Sequence, residues 1–212
     1  MIRSFSISIL ICALALLAGC GRGQAPAPGG DQAQTPVARG EHLSLVLGCH
    51  DCHTPKIMGA NGPEPDMSRR LIGHPEGSSI PAPPVLPAGP WGVTCTMDLT
   101  AWSGPWGVSY AINLTPDQDT GIGIWTEEMF IKAIRTGKHM GEASSRPILP
   151  PMPWQDFNYL RDDELKDLFA YLKSLPPTKN HVPDPVILPP SDAAAPAPGT
   201  TGATGPARPS GA

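Results

Sequence analysis

The sequence predicts a mostly α-helical single domain with one small β element, set between two tails rich in proline and glycine. Three observations carry that expectation. First, 28 prolines and 23 glycines stand in 212 residues, about a quarter of the chain against roughly an eighth in average usage. Much of this excess falls at the two ends and in residues 59–90. Second, three stretches between the tails have helical character. Third, two short segments alternate apolar and polar residues, as strands do.

Each helix has its own signals. Residues 41–48 are short and apolar at Leu43, Val46 and Leu47. Residues 126–136 (TEEMFIKAIRT) begin on a threonine cap with an acidic first turn and stop at Gly137. Met129, Phe130, Ala133 and Ile134 keep the 3.6-residue period there. Residues 162–175 (DDELKDLFAYLKSL) give the strongest pattern, with Leu165, Leu168, Phe169, Leu172 and Leu175 on one face. The carboxylates of Asp162, Asp163, Glu164 and Asp167 read as a helix first turn and a solvated face. Pro176 and Pro177 end the run.

The strand expectation rests on a local near-repeat. Residues 89–100 (GPWGVTCTMDLT) return as residues 104–115 (GPWGVSYAINLT), with seven of twelve positions identical. Val93, Cys95, Met97 and Leu99 alternate with polar or small neighbours, as do Val108, Tyr110, Ile112 and Leu114. A small two-stranded element follows. Two copies are too few for a solenoid.

The ends read differently. Arg3 precedes an unbroken apolar run, residues 9–17, which exits through Ala18-Gly19 to Cys20. That is an export signal, too short for a bilayer span of about 20 residues. Leu17-Ala18-Gly19-Cys20 resembles the bacterial lipobox, which implies cleavage before Cys20, acylation of its thiol and a membrane anchor. Several acyl chains at about 0.8 kcal/mol per methylene hold such an anchor firmly. Gly21 in place of aspartate leans towards the outer membrane. Residues 1–19 are thus the signal and residues 20–38 a flexible tether. Residues 39–182 form the folded domain, and residues 183–212, with no aromatic residue, a disordered tail. Charged residues are 16% and the formal net charge is −4, so no nucleic-acid partner is expected.

Cys49-His50-Asp51-Cys52-His53 carries the chemistry. Two thiols three positions apart can each add to one of the two vinyl groups of haem. The histidine directly after the second thiol can then supply an axial nitrogen to the iron. A redox C-x-x-C would want a βαβ context, and a zinc site a second Cys/His pair; the sequence offers neither. A disulfide between Cys49 and Cys52 would leave His53 without a purpose. Haem attachment also takes place outside the cytoplasm in bacteria, in keeping with an export signal.

From these residues outward the chain resembles monohaem c-type cytochromes of the class I kind. Residues 48–54 (GCHDCHT) match the attachment segment. Asn113-Leu114-Thr115-Pro116-Asp117, then Thr120-Gly121-Ile122-Gly123, Trp125-Thr126 and Arg135-Thr136-Gly137, look like haem units in cytochrome subunits of membrane-bound alcohol and gluconate dehydrogenases. Leu149-Pro150-Pro151-Met152-Pro153 and the helix after it are similar to the sixth-ligand loop and final helix of that family. The resemblance implies a cytochrome c-like helical domain around one covalent haem c, with the β element as an insertion. It implies a single-electron carrier rather than an enzyme. Its partners would be membrane redox proteins: a dehydrogenase, a quinol-oxidising complex or a terminal oxidase. A cytochrome subunit fixed in a dehydrogenase or oxidase complex is the alternative, and a five-coordinate haem sensor or peroxidase a more distant one. Residues 55–110 are longer than in minimal members and have no counterpart.

Matching motif to motif, Met152 takes the place of the axial methionine. The residues themselves leave several candidates: His42, His74, His139, His181 and Met140. His50 is expected to point away from the iron, and Met58, Met67, Met97 and Met129 to pack or lie on the surface. Met152 stands out because Pro150, Pro151 and Pro153 stiffen its loop, with Met140 and His139 next. Histidine/methionine ligation would leave no open iron position and raise the potential relative to two nitrogens. Some of the five tryptophans are expected to wall the pocket. Cys95 is expected as a small buried residue on its strand.

Overall fold

The structure, a computed structural model, describes residues 34–84 and 91–188. The export signal, Cys20, most of the expected tether and the tail beyond residue 188 lie outside the described residues.

Helix α1 spans Pro36–Val46, capped by Thr35, whose hydroxyl accepts from the Ala38 amide at 3.2 Å. It starts five residues before the expected helix and inside the stretch read as tether. Thr35-Pro36 is a cap followed by proline at the first helical position, a signal hidden among other prolines. The early start has a tertiary use. A Cβ at Gly40 would lie 1.9 Å from the Asp167 carbonyl oxygen, so only glycine lets α1 cross this closely over α5, Asp162–Ser174. Beside that crossing, Arg39 holds Asp167 with two bonds of 2.6 and 2.8 Å. Asp167, expected on a solvated face, is buried because it meets this guanidinium.

The other helices follow their sequence signals. Helix α2 is one turn, Cys49–His53, entered through Gly48 at φ 69°. Helix α3, Glu127–Thr136, starts on the Thr126 cap and ends at Gly137 in the left-handed region. Helix α4 is the short turn Trp154–Phe157. In α5 the Glu164 carboxylate accepts from the Arg161 amide at 2.8 Å, and all five leucine and phenylalanine residues expected on its inner face, Leu175 included, are buried. Phe130 of α3 meets Phe169 of α5 with ring centroids 5.3 Å apart.

The strands exceed the expected pair. β1 (Lys56–Gly59) and β2 (Gly62–Pro65) form an unforeseen hairpin. A second sheet has the antiparallel order β3 (Thr94–Cys95), β4 (Ala101–Gly104), β5 (Gly107–Tyr110) and β6 (Val186–Ile187). The strands of the two halves, β3 and β5, therefore do not pair with each other. Trp102 faces Cys95 on one side and Ser109 on the other, so β4 lies between them. The alternation after Cys95 is broken by a turn in which the Thr96 hydroxyl donates to Asp98 at 2.5 Å. The second Gly-Pro-Trp-Gly is itself the β4–β5 turn. β6 lies in the expected disordered tail. Its two β-branched residues add to the β5 edge, Val186 opposite Val108, a pairing that no local pattern in a proline-rich segment announces. Among the described residues no helix is long and apolar enough to cross a membrane.

Candidate haem site

Helix α2 puts Cys49 and Cys52 one turn apart, and both line a cavity of about 340 Å³ together with His53. His53 is buried, and its Nδ1 lies 2.8 Å from the Ile112 carbonyl oxygen. A carbonyl only accepts, so Nδ1 carries the proton and Nε2 keeps the lone pair that an axial ligand uses. Burial pushes the His53 pKa down, opposed by the Ile112 hydrogen bond, which favours the neutral, coordinating imidazole.

The backbone around His53 is tied from several directions. The Gly73 amide donates to the His53 carbonyl at 2.9 Å, and the His74 amide to Ala111 at 2.8 Å. Thr54 Oγ1 accepts from the Leu71 amide at 2.9 Å and meets His50 Nδ1 at 2.8 Å. His50 is thus tied to Thr54 through Nδ1 and is not among the residues that line the cavity, as expected. Lys56 Nζ closes the end of α2 on the His50 and Thr54 carbonyls, at 2.6 and 3.1 Å. Gly73, at φ 78°, would put a Cβ 2.3 Å from the Ala111 oxygen; its lack of a side chain lets this loop reach the segment that carries Ile112.

The thiols are not prepared for thiolate chemistry. Burial pushes Cys49 up to about 12, and burial also raises Cys52. A reactive C-x-x-C would show the opposite shift. Among the described residues no group of three or more His, Cys, Asp or Glu is placed to hold a metal ion.

The rest of the cavity wall is mainly apolar: Leu47, Ile112, Leu114, Ile122, Phe130, Leu168 and Leu172, with Trp102 and Trp125. Trp91 is 78% exposed, Trp106 occupies the β4–β5 turn and Trp154 begins α4 outside the lining, so two of the five tryptophans have wall positions. Met152 lines the cavity on its proline loop. Ser109 of β5 donates to the Pro150 carbonyl at 2.6 Å. The long stretch 55–110, which the sequence left without a role, therefore ends in a strand that braces the Met152 loop and runs on to the carbonyl that orients His53. Sequence reading missed both groups, Ser109 and Ile112, because neither has a signature of its own.

Of the other ligand candidates, His139 lines the cavity, edge-on to Trp125 at 5.5 Å. Met140, His42, His74 and His181 are not among its lining residues. His74 is buried, with Nδ1 at 2.8 Å from Thr100 Oγ1 and its ring 5.1 Å from Tyr110. Cys95 is on its strand but exposed, contrary to expectation; β3 is a two-residue strand at the edge of its sheet.

Two thiols, an imidazole set in the coordinating tautomer, a thioether and an apolar wall suit haem. This is the donor set of c-type haem proteins. Cytochrome c is the family whose model matches residues 37–176, from the first turn of α1 to the proline after α5, and the chain belongs to it. The chain is 29% identical over 181 residues to the fructose dehydrogenase cytochrome subunit of Gluconobacter japonicus, covering 82% of this chain and 30% of that protein. It is 39% identical over 59 residues to the alcohol dehydrogenase (quinone) cytochrome c subunit of Gluconobacter oxydans, covering 28% of this chain and 12% of that one. It is 36% identical over 59 residues to the gluconate 2-dehydrogenase cytochrome c subunit of Pantoea cypripedii, covering 28% and 13%. The chain spans less than a third of the length of these relatives. It is a c-type cytochrome similar to their haem units, an electron-transfer domain.

Proposed function

We propose that this chain is an exported, lipid-anchored cytochrome that carries single electrons between membrane redox partners on one covalent haem c. Cys49 and Cys52 would hold the haem through thioethers, with His53 and Met152 as axial ligands and Cys20 as the lipid attachment. The haem supplies a one-electron Fe(II)/Fe(III) couple. The chain's own residues would hold it, exclude water from it and supply two ligands to its iron, His53 and Met152, leaving no position on the iron for substrate.

The observation that carries this reading is the His53 Nδ1 bond to Ile112, in a cavity that Cys49, Cys52 and Met152 also line. One haem is supported by the single C-x-x-C-H in the sequence. The anchor and the periplasmic location, at the outer membrane in preference to the inner, rest on the leader and on Leu17-Ala18-Gly19-Cys20. A flexible tether would keep the domain at high local concentration near its partners. The net negative charge suits a partner with a basic docking face.

A second reading, a cytochrome subunit fixed in a dehydrogenase complex, is favoured by the names of the relatives. The test is an absorption spectrum of the exported protein, repeated on Met152→Ala. A haem c spectrum with a methionine-to-iron charge-transfer band that disappears in the variant supports the ligand assignment. Carbon monoxide binding by the unmodified ferrous protein, unchanged in the variant, overturns it. Co-purification with a dehydrogenase after removal of the anchor would favour the fixed subunit over the carrier.

A further inference from the structure

The cavity wall contains one feature that covalent attachment and axial ligation leave unused. Residues 137–148 fold back on themselves: the His139 amide donates to the Arg146 carbonyl at 3.0 Å and the Ile148 amide to Gly137 at 2.8 Å, with Lys138 bridged to Pro147. This ribbon puts two nitrogen side chains, His139 and Arg146, on an otherwise mainly apolar wall. Arg146 is the one permanent cation among the described lining residues, and Asp51, within the attachment turn, the one carboxylate.

We propose that Arg146, with His139 beside it, binds the carboxylates of the haem, its propionate groups. A guanidinium cannot shed its proton in a protein, and a half-buried cation with no carboxylate in direct contact is costly. Among the described residues Arg146 forms no ion pair, and the bond it makes, to the Pro147 carbonyl, is a long 3.4 Å. Burial pushes its pKa down, and the charge of Asp184 offsets this only in part. His139 is held neutral by burial and by Arg146, so it can supply one N–H and one lone pair. A haem brings two carboxylates into a cavity whose own carboxylate stands beside the thiols, and a guanidinium is the side chain best shaped for a carboxylate. The assignment also gives His139 a role other than that of an iron ligand.

This inference rests on the haem reading above, and the experiment separates the two. Haem-loaded wild type, Arg146→Gln and Arg146→Lys are compared by midpoint potential and by the propionate bending band in resonance Raman spectra. The cation favours the ferrous state by drawing charge towards the reduced centre. The expected result is therefore a lower potential and a shifted band in Arg146→Gln. Arg146→Lys should recover much of the potential, because it keeps the charge, while its band stays shifted, because it loses the fork. A c-type spectrum with potential and band unmoved in Arg146→Gln overturns the assignment of Arg146 alone. Should Arg146→Gln not load haem, an unmoved band in Arg146→Lys overturns it equally. An unmodified chain with no c-type spectrum overturns the haem reading beneath it.

Discussion

The two walls that carry the proposed axial ligands are built differently. On the His53 side, short hydrogen bonds involve two separate segments: the Ile112 carbonyl accepts from the ring, and the 71–74 loop donates from Gly73 to the His53 carbonyl and from Leu71 to the hydroxyl of Thr54. On the Met152 side the loop has its prolines, a weaker backbone bond of 3.3 Å from Met152 to Leu149, and one tie from Ser109 to Pro150. The imidazole is therefore oriented by tertiary hydrogen bonds, and the thioether mainly by a stiff local chain. The difference teaches where each ligand is vulnerable. Distant residues govern the first, and residues in the loop itself the second.

The largest expected effect is on attachment. Replacing both Cys49 and Cys52 by alanine should abolish the haem band that survives a denaturing gel, whereas Met152→Ala should leave that band and remove only the charge-transfer absorption. A haem band that persists in the double variant would break the assignment of the thiols.

Next comes the backbone beneath His53. Gly73→Ala places a methyl against the Ala111 carbonyl at a left-handed φ, and should cost about 3 kcal/mol in chemical denaturation. Unchanged stability would mean that the 71–74 loop is not held against the Ile112 segment. Ser109→Ala removes one tie to the Met152 loop and should cost about 1 kcal/mol. Its signature is a weakened methionine-to-iron band with the His53 side intact, which sharpens the contrast between the walls.

The smallest effect is on pH dependence. Burial lowers the pKa of His74, and the charge of Asp98 opposes the shift. With a folded pKa below the unfolded value of about 6.5, its contribution to stability is fully present above that value. It is lost as pH falls below it, because the unfolded chain then binds the proton more readily. His74→Gln should flatten the acid side of a stability–pH curve. An unaltered curve would show that His74 is not among the groups that set it.

The parts legible beforehand share a property: each is written in neighbouring residues. C-x-x-C-H, the Thr126 cap with Gly137, the leucine face of α5 and the proline frame of Met152 are all local patterns. What escaped was decided by partners far along the chain. The start of α1 was hidden because its Thr35-Pro36 cap lies among other prolines and its packing depends on Asp167, far along the chain, lying against Gly40. β6 was hidden because Val186 and Ile187 pair only once β5 exists. Cys95 was misjudged because burial depends on what lies over a strand, and β3 is an edge.

Thus the spacing of two thiols and an imidazole in C-x-x-C-H, the proline frame around Met152 and the periodicity of the main helices follow from the chain alone, since covalent spacing and the helical repeat are short-range. Tertiary structure decided how those donors are presented: which imidazole nitrogen is free, what braces the methionine loop, and where a half-buried arginine meets an apolar cavity. These depend on hydrogen bonds between residues as far apart as His53 and Ile112, and sequence spacing carries no record of which carbonyl will stand opposite which ring.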